Sequence, residues 1–160
     1  MRRPLMLAAI LLLAVITASG QEKQQTQTIL FVCEHGSAKS VIAAAHFNRL
    51  AEQKNLPYRA IARGTNPDPV IPQQVRLDLA KDGLDVSKWK PQLVAEKDAR
   101  DAARVVTFGC KLPVRDKTTA GKLEDWKDVP STSENYERAR TIIVEKIDAL
   151  IKTLTGKGSN

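Results

Sequence analysis

The sequence predicts an α/β domain built on a parallel sheet, and three stretches carry that prediction. Ile29-Leu30-Phe31-Val32 is a short apolar run with the β-branched and aromatic bias of a buried strand. A segment of helical length rich in alanine separates it from a second apolar run, Tyr58 to Ala62. Strands joined by one helix run parallel, because only a long crossover returns the chain to the same end of the sheet. Arg104-Val105-Val106-Thr107-Phe108 is a third strand reached through further helical sequence.

The ends of the chain bound the domain. Arg2 and Arg3 precede an apolar run from Leu5 to Ile16, and Ala18-Ser19-Gly20 place small residues before Gln21. That is the pattern of a secretory signal peptide over 1–20, cleaved near Gly20-Gln21. The run is short for a bilayer, so the mature form is expected to be exported, periplasmic or secreted, and not membrane-spanning. Gln21 to Gln27 is polar and aperiodic, a flexible leader. The domain is expected over 28–155, with 156–160 a disordered tail.

Within those limits each element has a local reason. The first helix, Val41 to about Lys54, carries Val41, Ile42, Ala45, Leu50 and Ala51 and stops at Asn55-Leu56-Pro57; His46 inside it reads as a partly buried helix residue. Gly64-Thr65-Asn66-Pro67-Asp68-Pro69 is a turn-rich loop. Gln73 to Lys81 is a short helix closed by Asp82-Gly83, where glycine accepts the left-handed cap. Val86 to Val94 is irregular, Glu96 to Arg100 is a short helix, Lys111 to Lys122 is loop, and Lys122 to Trp126 is a short edge strand. The last helix, with Ser133 as its capping residue, repeats Tyr136, Ala139, Ile143, Ile147, Leu150 and Leu154 at three- and four-residue steps.

Composition narrows the partners. The full chain has a formal net charge of +7, two units of which leave with Arg2 and Arg3. The remaining charges of both signs are interspersed and only 4% of residues are aromatic, so no nucleic-acid surface is expected and a small anionic substrate fits better. Cys33, His35, His46 and Cys110 lack the paired spacing of a zinc site, and neither metal nor cofactor is expected. In an exported chain the two cysteines, Cys33 and Cys110, also admit a structural disulfide.

The chemistry concentrates after the first strand. Cys33 stands where strand becomes loop, followed by the small residues Gly36, Ser37 and Ala38, then Lys39 and Ser40 at a helix start. Backbone amides of such a loop converge on an anion, a nearby cation favours a thiolate, and a hydroxyl can hydrogen-bond the sulfur. C-x5-K-S therefore reads as an anion cradle with a thiol at its floor, the alternative being a buried, inert cysteine. Cys110 also follows a strand, so both thiols lie at the edge of the sheet where open parallel folds bind ligands.

This loop, following Ile-Leu-Phe-Val, resembles the C-x5-R-[ST] loop of the low-molecular-weight protein tyrosine phosphatase family, which includes the thioredoxin-coupled arsenate reductases. The resemblance continues through Arg63-Gly64-Thr65, Gly83-Leu84-Asp85-Val86-Ser87, Val105 to Cys110, and Trp126 with the Asp128 to Pro130 loop. It implies a doubly wound, four-stranded parallel sheet with helices on both faces. It also implies that Cys33 attacks phosphorus or arsenic, that Ser40 steadies the thiolate, and that Glu34, His35, Gly36, Ser37, Ala38 and Lys39 hold the oxyanion. Asp128 would be the general acid. The implied activity is hydrolysis of a phosphomonoester through a phospho-cysteine intermediate. Two alternatives stand beside it: thiol-dependent arsenate reduction, with Cys110 as redox partner and an external thiol as reductant, and a non-catalytic oxyanion-binding or thiol-redox module.

The chain departs from the family pattern at defined places. Lys39 replaces the arginine whose planar fork grips two oxygens, a loss on the order of 2–4 kcal/mol of transition-state contact. Glu34 sets a carboxylate beside the cradle. Val129 separates Asp128 from Pro130, Ser131 and Thr132 stand where the phosphatases have paired tyrosines, and Lys111-Leu112-Pro113 stands where the reductases have a third cysteine.

Overall fold

The computed structural model describes residues 25–114 and 116–156. The expected signal peptide, most of the leader, and the tail from residue 157 lie outside them. Four parallel strands form one sheet in the order β2-β1-β3-β4. They are β1 (Gln27–Cys33), β2 (Tyr58–Gly64), β3 (Arg104–Thr107) and β4 (Leu123–Asp125), interleaved with α1 (Lys39–Gln53), α2 (Gln73–Lys81), α3 (Glu96–Asp101), α4 (Lys117–Ala120) and α5 (Tyr136–Gly156).

Side-chain alternation along β1 explains why helices cover both faces. Ile29, Phe31 and Cys33 point into a core shared with α1, α2 and α5, whereas Leu30 and Val32 point into a second core with Val94, Ala99, Ala102, Val105 and Leu112. A central strand buried on both sides has to be continuously apolar, and β1 is. Phe31 anchors the larger core, with its ring centroid 6.1 Å from Phe47, 6.5 Å from Phe108 and 5.7 Å from Trp126. The doubly wound sheet implied by the family resemblance is therefore present.

Several boundaries move. Gln27 belongs to β1 rather than to a leader, and α1 begins at Lys39, two residues before its apolar stripe. Within the expected loop 111–122, Asp116 caps a single helical turn, α4, by accepting from Thr118 N at 2.8 Å. Gly156 is helical. The last helix is capped by Asn135, whose Oδ1 accepts from Arg138 N at 2.9 Å, and Ser133 instead hydrogen-bonds Ser131.

His46 is fully enclosed, not partly buried. Its Nε2 faces Asp82 Oδ2 at 3.3 Å and its Nδ1 faces Arg49 Nη2 at 3.1 Å. Asp82 in turn accepts two hydrogen bonds from Arg140, at 2.6 and 2.9 Å, so this polar knot ties α1 to the end of α2 and to α5.

Candidate oxyanion site

Cys33 ends β1 with its side chain on the α1 face, 5% exposed at the floor of the following loop. Ser40 Oγ lies 3.1 Å from its Sγ, and Gly36 N donates to the same sulfur at 3.2 Å. The residue before α1 is Ala38, which offers no side-chain cap, so the first amides of the helix are left for a ligand.

The loop holds its shape through one close approach. Gly36 has φ +61°, and a Cβ there would lie 2.7 Å from Gly64 N; a Cβ on Gly64 would lie 2.8 Å from Gly36 N. Only two glycines allow this packing. The 64–68 loop then runs alongside, with Thr65 N, Asn66 N and Asp68 N donating to the carbonyls of Cys33, Glu34 and His35 at 3.2, 2.8 and 3.0 Å. Asp68 adds its side chain, accepting from the buried Ser37 Oγ at 2.5 Å and lying 3.4 Å from His35 Nδ1. Glu34 and His35 are exposed at the rim.

Lys39 does not aim into the cradle. Its Nζ donates to the carbonyl of Val129 at 3.3 Å and lies 5.8 Å from the centroid of Phe108, so the cation expected to serve the thiolate is anchored on the loop after β4. Asp128, on that same loop, pairs with Lys146 of α5 at 3.0 Å and is largely exposed. The hydrogen bond from Lys146 holds its carboxyl below the usual carboxylate range. In this arrangement Asp128, the general acid implied by the family resemblance, is paired with Lys146 of α5.

Cys110 follows β3 and packs against the second core, on the face of the sheet opposite to the one that Cys33 points into. Its thiol donates to the carbonyl of Val32, the residue before Cys33, at 3.3 Å. Burial pushes the Cys110 thiol up, and the neighbouring Cys33 adds to the rise. Asp125 shapes the turn that carries it, accepting from Thr107 Oγ1 at 2.9 Å and from Gly109 N at 2.8 Å. A cavity of about 590 Å³ opens between Cys110, Asp125 and α4, and the cradle residues do not line it. Both cysteines are free thiols.

Sequence reading brought Cys33, Gly36, Ser37 and Ser40 together correctly as one loop. It missed Asp68, Asp125 and Lys146, each of which meets its site partner through tertiary contact. The only local signal was an aspartate in the turn-rich loop 64–69.

The four-stranded parallel sheet with helices on both faces is the fold of solved low-molecular-weight protein tyrosine phosphatases and thioredoxin-dependent arsenate reductases. The chain superposes on a low-molecular-weight protein tyrosine phosphatase from T. tengcongensis with a TM-score of 0.68 at 21% identity, covering 79% of this chain and 99% of that one. It superposes on a thioredoxin-dependent arsenate reductase from Corynebacterium glutamicum with a TM-score of 0.71 at 20% identity, covering 86% of this chain and 66% of the other. In sequence it is 25% identical over 114 residues to a Halobacterium salinarum protein provisionally named an arsenate reductase, spanning 70% of this chain and 80% of the relative. No family model matches the chain.

Proposed function

We propose that the protein performs cysteine-dependent chemistry on a tetrahedral oxyanion, and that this chemistry is thiol-dependent arsenate reduction through Cys33 and Cys110. The observation that carries the reading is the pair of free thiols around one β1 end, with the Cys110 Sγ 3.3 Å from the carbonyl preceding Cys33. The Cys33 sulfur bonds to arsenic and an As–O bond breaks, the oxygen leaving as water once protonated. The Cys110 thiolate then attacks the Cys33 sulfur. An S–S bond forms, the S–As bond breaks and its electron pair stays on arsenic, releasing arsenite. An external dithiol must reduce the disulfide. Arsenate-dependent loss of both titratable thiols, absent in Cys33→Ser and arrested at the first step in Cys110→Ser, is the expected result. An unchanged thiol count in the reduced protein overturns the reading.

Phosphomonoester hydrolysis is the second reading, supported by the cradle geometry around Cys33. It needs Asp128 to carry a proton, which its ion pair with Lys146 opposes. Lys146→Ala removes that hydrogen bond and raises the Asp128 pKa, so any aryl-phosphate hydrolysis is expected to rise and its alkaline limb, where the general acid loses its proton, to move to higher pH. A variant no faster than the parent at every pH removes Asp128 from the reaction.

We further propose that the protein works outside the cytoplasm, on the signal-like sequence of its first twenty residues. In a bacterial host the product is expected in the periplasm with Gln21 at its N-terminus. Among the described residues no helix is long and apolar enough to cross a membrane.

A further inference from the structure

The outer edge of the sheet at β2 carries a feature that the cradle chemistry does not use. Alternate residues of a parallel strand send their main-chain groups to opposite sides. Around β2 the odd positions face β1: Pro57 O accepts from Gln27 N at 2.8 Å, and Thr65 N donates to Cys33 O at 3.2 Å. Even positions therefore face outward. Ala60 is covered there by Asn48, whose side chain accepts from its amide at 2.7 Å and donates to its carbonyl at 3.1 Å, copying a neighbouring strand. Gly64 is covered by the 92–94 segment, donating to Gln92 O at 2.8 Å and accepting from Val94 N at 2.9 Å. Ala62 lies between these two closures. Its carbonyl accepts the Arg63 guanidinium at 2.9 Å, and among the described residues its amide meets no acceptor across that edge.

A cleft of about 300 Å³ opens at this gap, walled by Arg59, Arg63, Lys88, Trp89 and Lys90, with its floor reaching Gly36. Among the described residues none of those lining it is acidic. Arg63 is neutralised by Asp98 at 3.0 Å, whereas Arg59, Lys88 and Lys90 form no ion pair with any described residue. Like charges gathered around a concave edge repel one another and favour an anionic occupant.

We propose that this edge is a docking cleft for an acidic protein segment bound in extended conformation. A strand-like peptide supplies the carbonyl that the Ala62 amide lacks, and its alternating side chains reach cations on both walls. The single aromatic wall, Trp89, suits an apolar side chain between the carboxylates; a stacking platform for nucleic acid needs several such rings. The proposal is independent of the reaction at Cys33.

An amide NMR titration of the full-length protein with a blocked six-residue peptide alternating Glu and Val tests it. Saturable shifts are expected at the Ala62 amide and the Trp89 indole. Lys88→Ala combined with Lys90→Ala should weaken binding at least tenfold while leaving the remaining amide peaks in place. Replacing Glu by Gln in the peptide should do the same. The proposal is overturned if the Ala62 amide does not shift at millimolar peptide, if a Lys–Val peptide or inorganic phosphate reproduces the shift, or if a single-stranded oligonucleotide binds the cleft more tightly than the peptide.

Discussion

Lys39 occupies the position from which a guanidinium would grip an oxyanion, yet its amine rests on the Val129 carbonyl. An ammonium is a compact charge on a flexible stem, so it can take a lone carbonyl as partner where a planar fork favours two coplanar oxygens. Lys39→Arg is therefore expected to tighten phosphate or arsenate binding by about tenfold, ~1.4 kcal/mol. Protection of Cys33 from alkylation by added phosphate measures it, and equal protection in both proteins refutes the expectation. Cys110 makes a second demand. Its thiol is held above the ordinary value by burial, so at neutral pH it is protonated and its attack waits on ionisation. The rate of Cys33–Cys110 disulfide formation after arsenate addition should rise nearly tenfold per pH unit from 7 to 9; a pH-independent rate contradicts the assignment of Cys110 as the attacking thiol.

The element that carries the site is the turn from β1 into α1, and it depends on a partner loop distant in sequence. Gly64→Ala would set a methyl group 2.8 Å from Gly36 N, against backbone that cannot swing aside. The variant is expected to lose about 2–4 kcal/mol of stability, and to lose phosphate protection of Cys33 even where it stays folded; thermal unfolding and alkylation rates read the two effects separately. The β1–loop–α1 unit was legible because its signals are local: an apolar run, small residues, then a helical stripe. The same holds for α2, where Asp82-Gly83 marks the stop. What sequence could not reveal are choices made by tertiary contact. Ser37 finds Asp68 across 31 positions, and Asp128 is claimed by Lys146 of another element. Asn135 rather than Ser133 caps α5 because both residue types serve as caps and only the path of the chain decides between them. Lys39 was placed in the correct loop, but the direction of a long side chain follows from the carbonyl it meets.

At the scale of the molecule, His46 sits where three helices meet, sealed from solvent among Arg49, Asp82 and Arg140. Arg49 can only donate, so Nδ1 accepts and the ring is neutral with its proton on Nε2 toward Asp82. Burial chiefly, and then the Arg49 charge, lower its pKa from 6.5 to about 4, outweighing the opposing pull of Asp82. The unfolded chain therefore binds a proton below pH 6.5 that the folded protein refuses until about pH 4. Folding stability is fully present above pH 6.5 and falls as pH drops through that window, by about 3 kcal/mol in all. Asp82, whose carboxyl is held down first by its hydrogen bond to Arg140, loses its own contribution at lower pH still. Thermal or urea unfolding from pH 7 to pH 4 should show this decline in the parent. His46→Gln, uncharged throughout, should be less stable at pH 7 but much flatter across the same range. If parent and variant decline in parallel, the acid sensitivity belongs to other groups and His46 is not the residue that sets it.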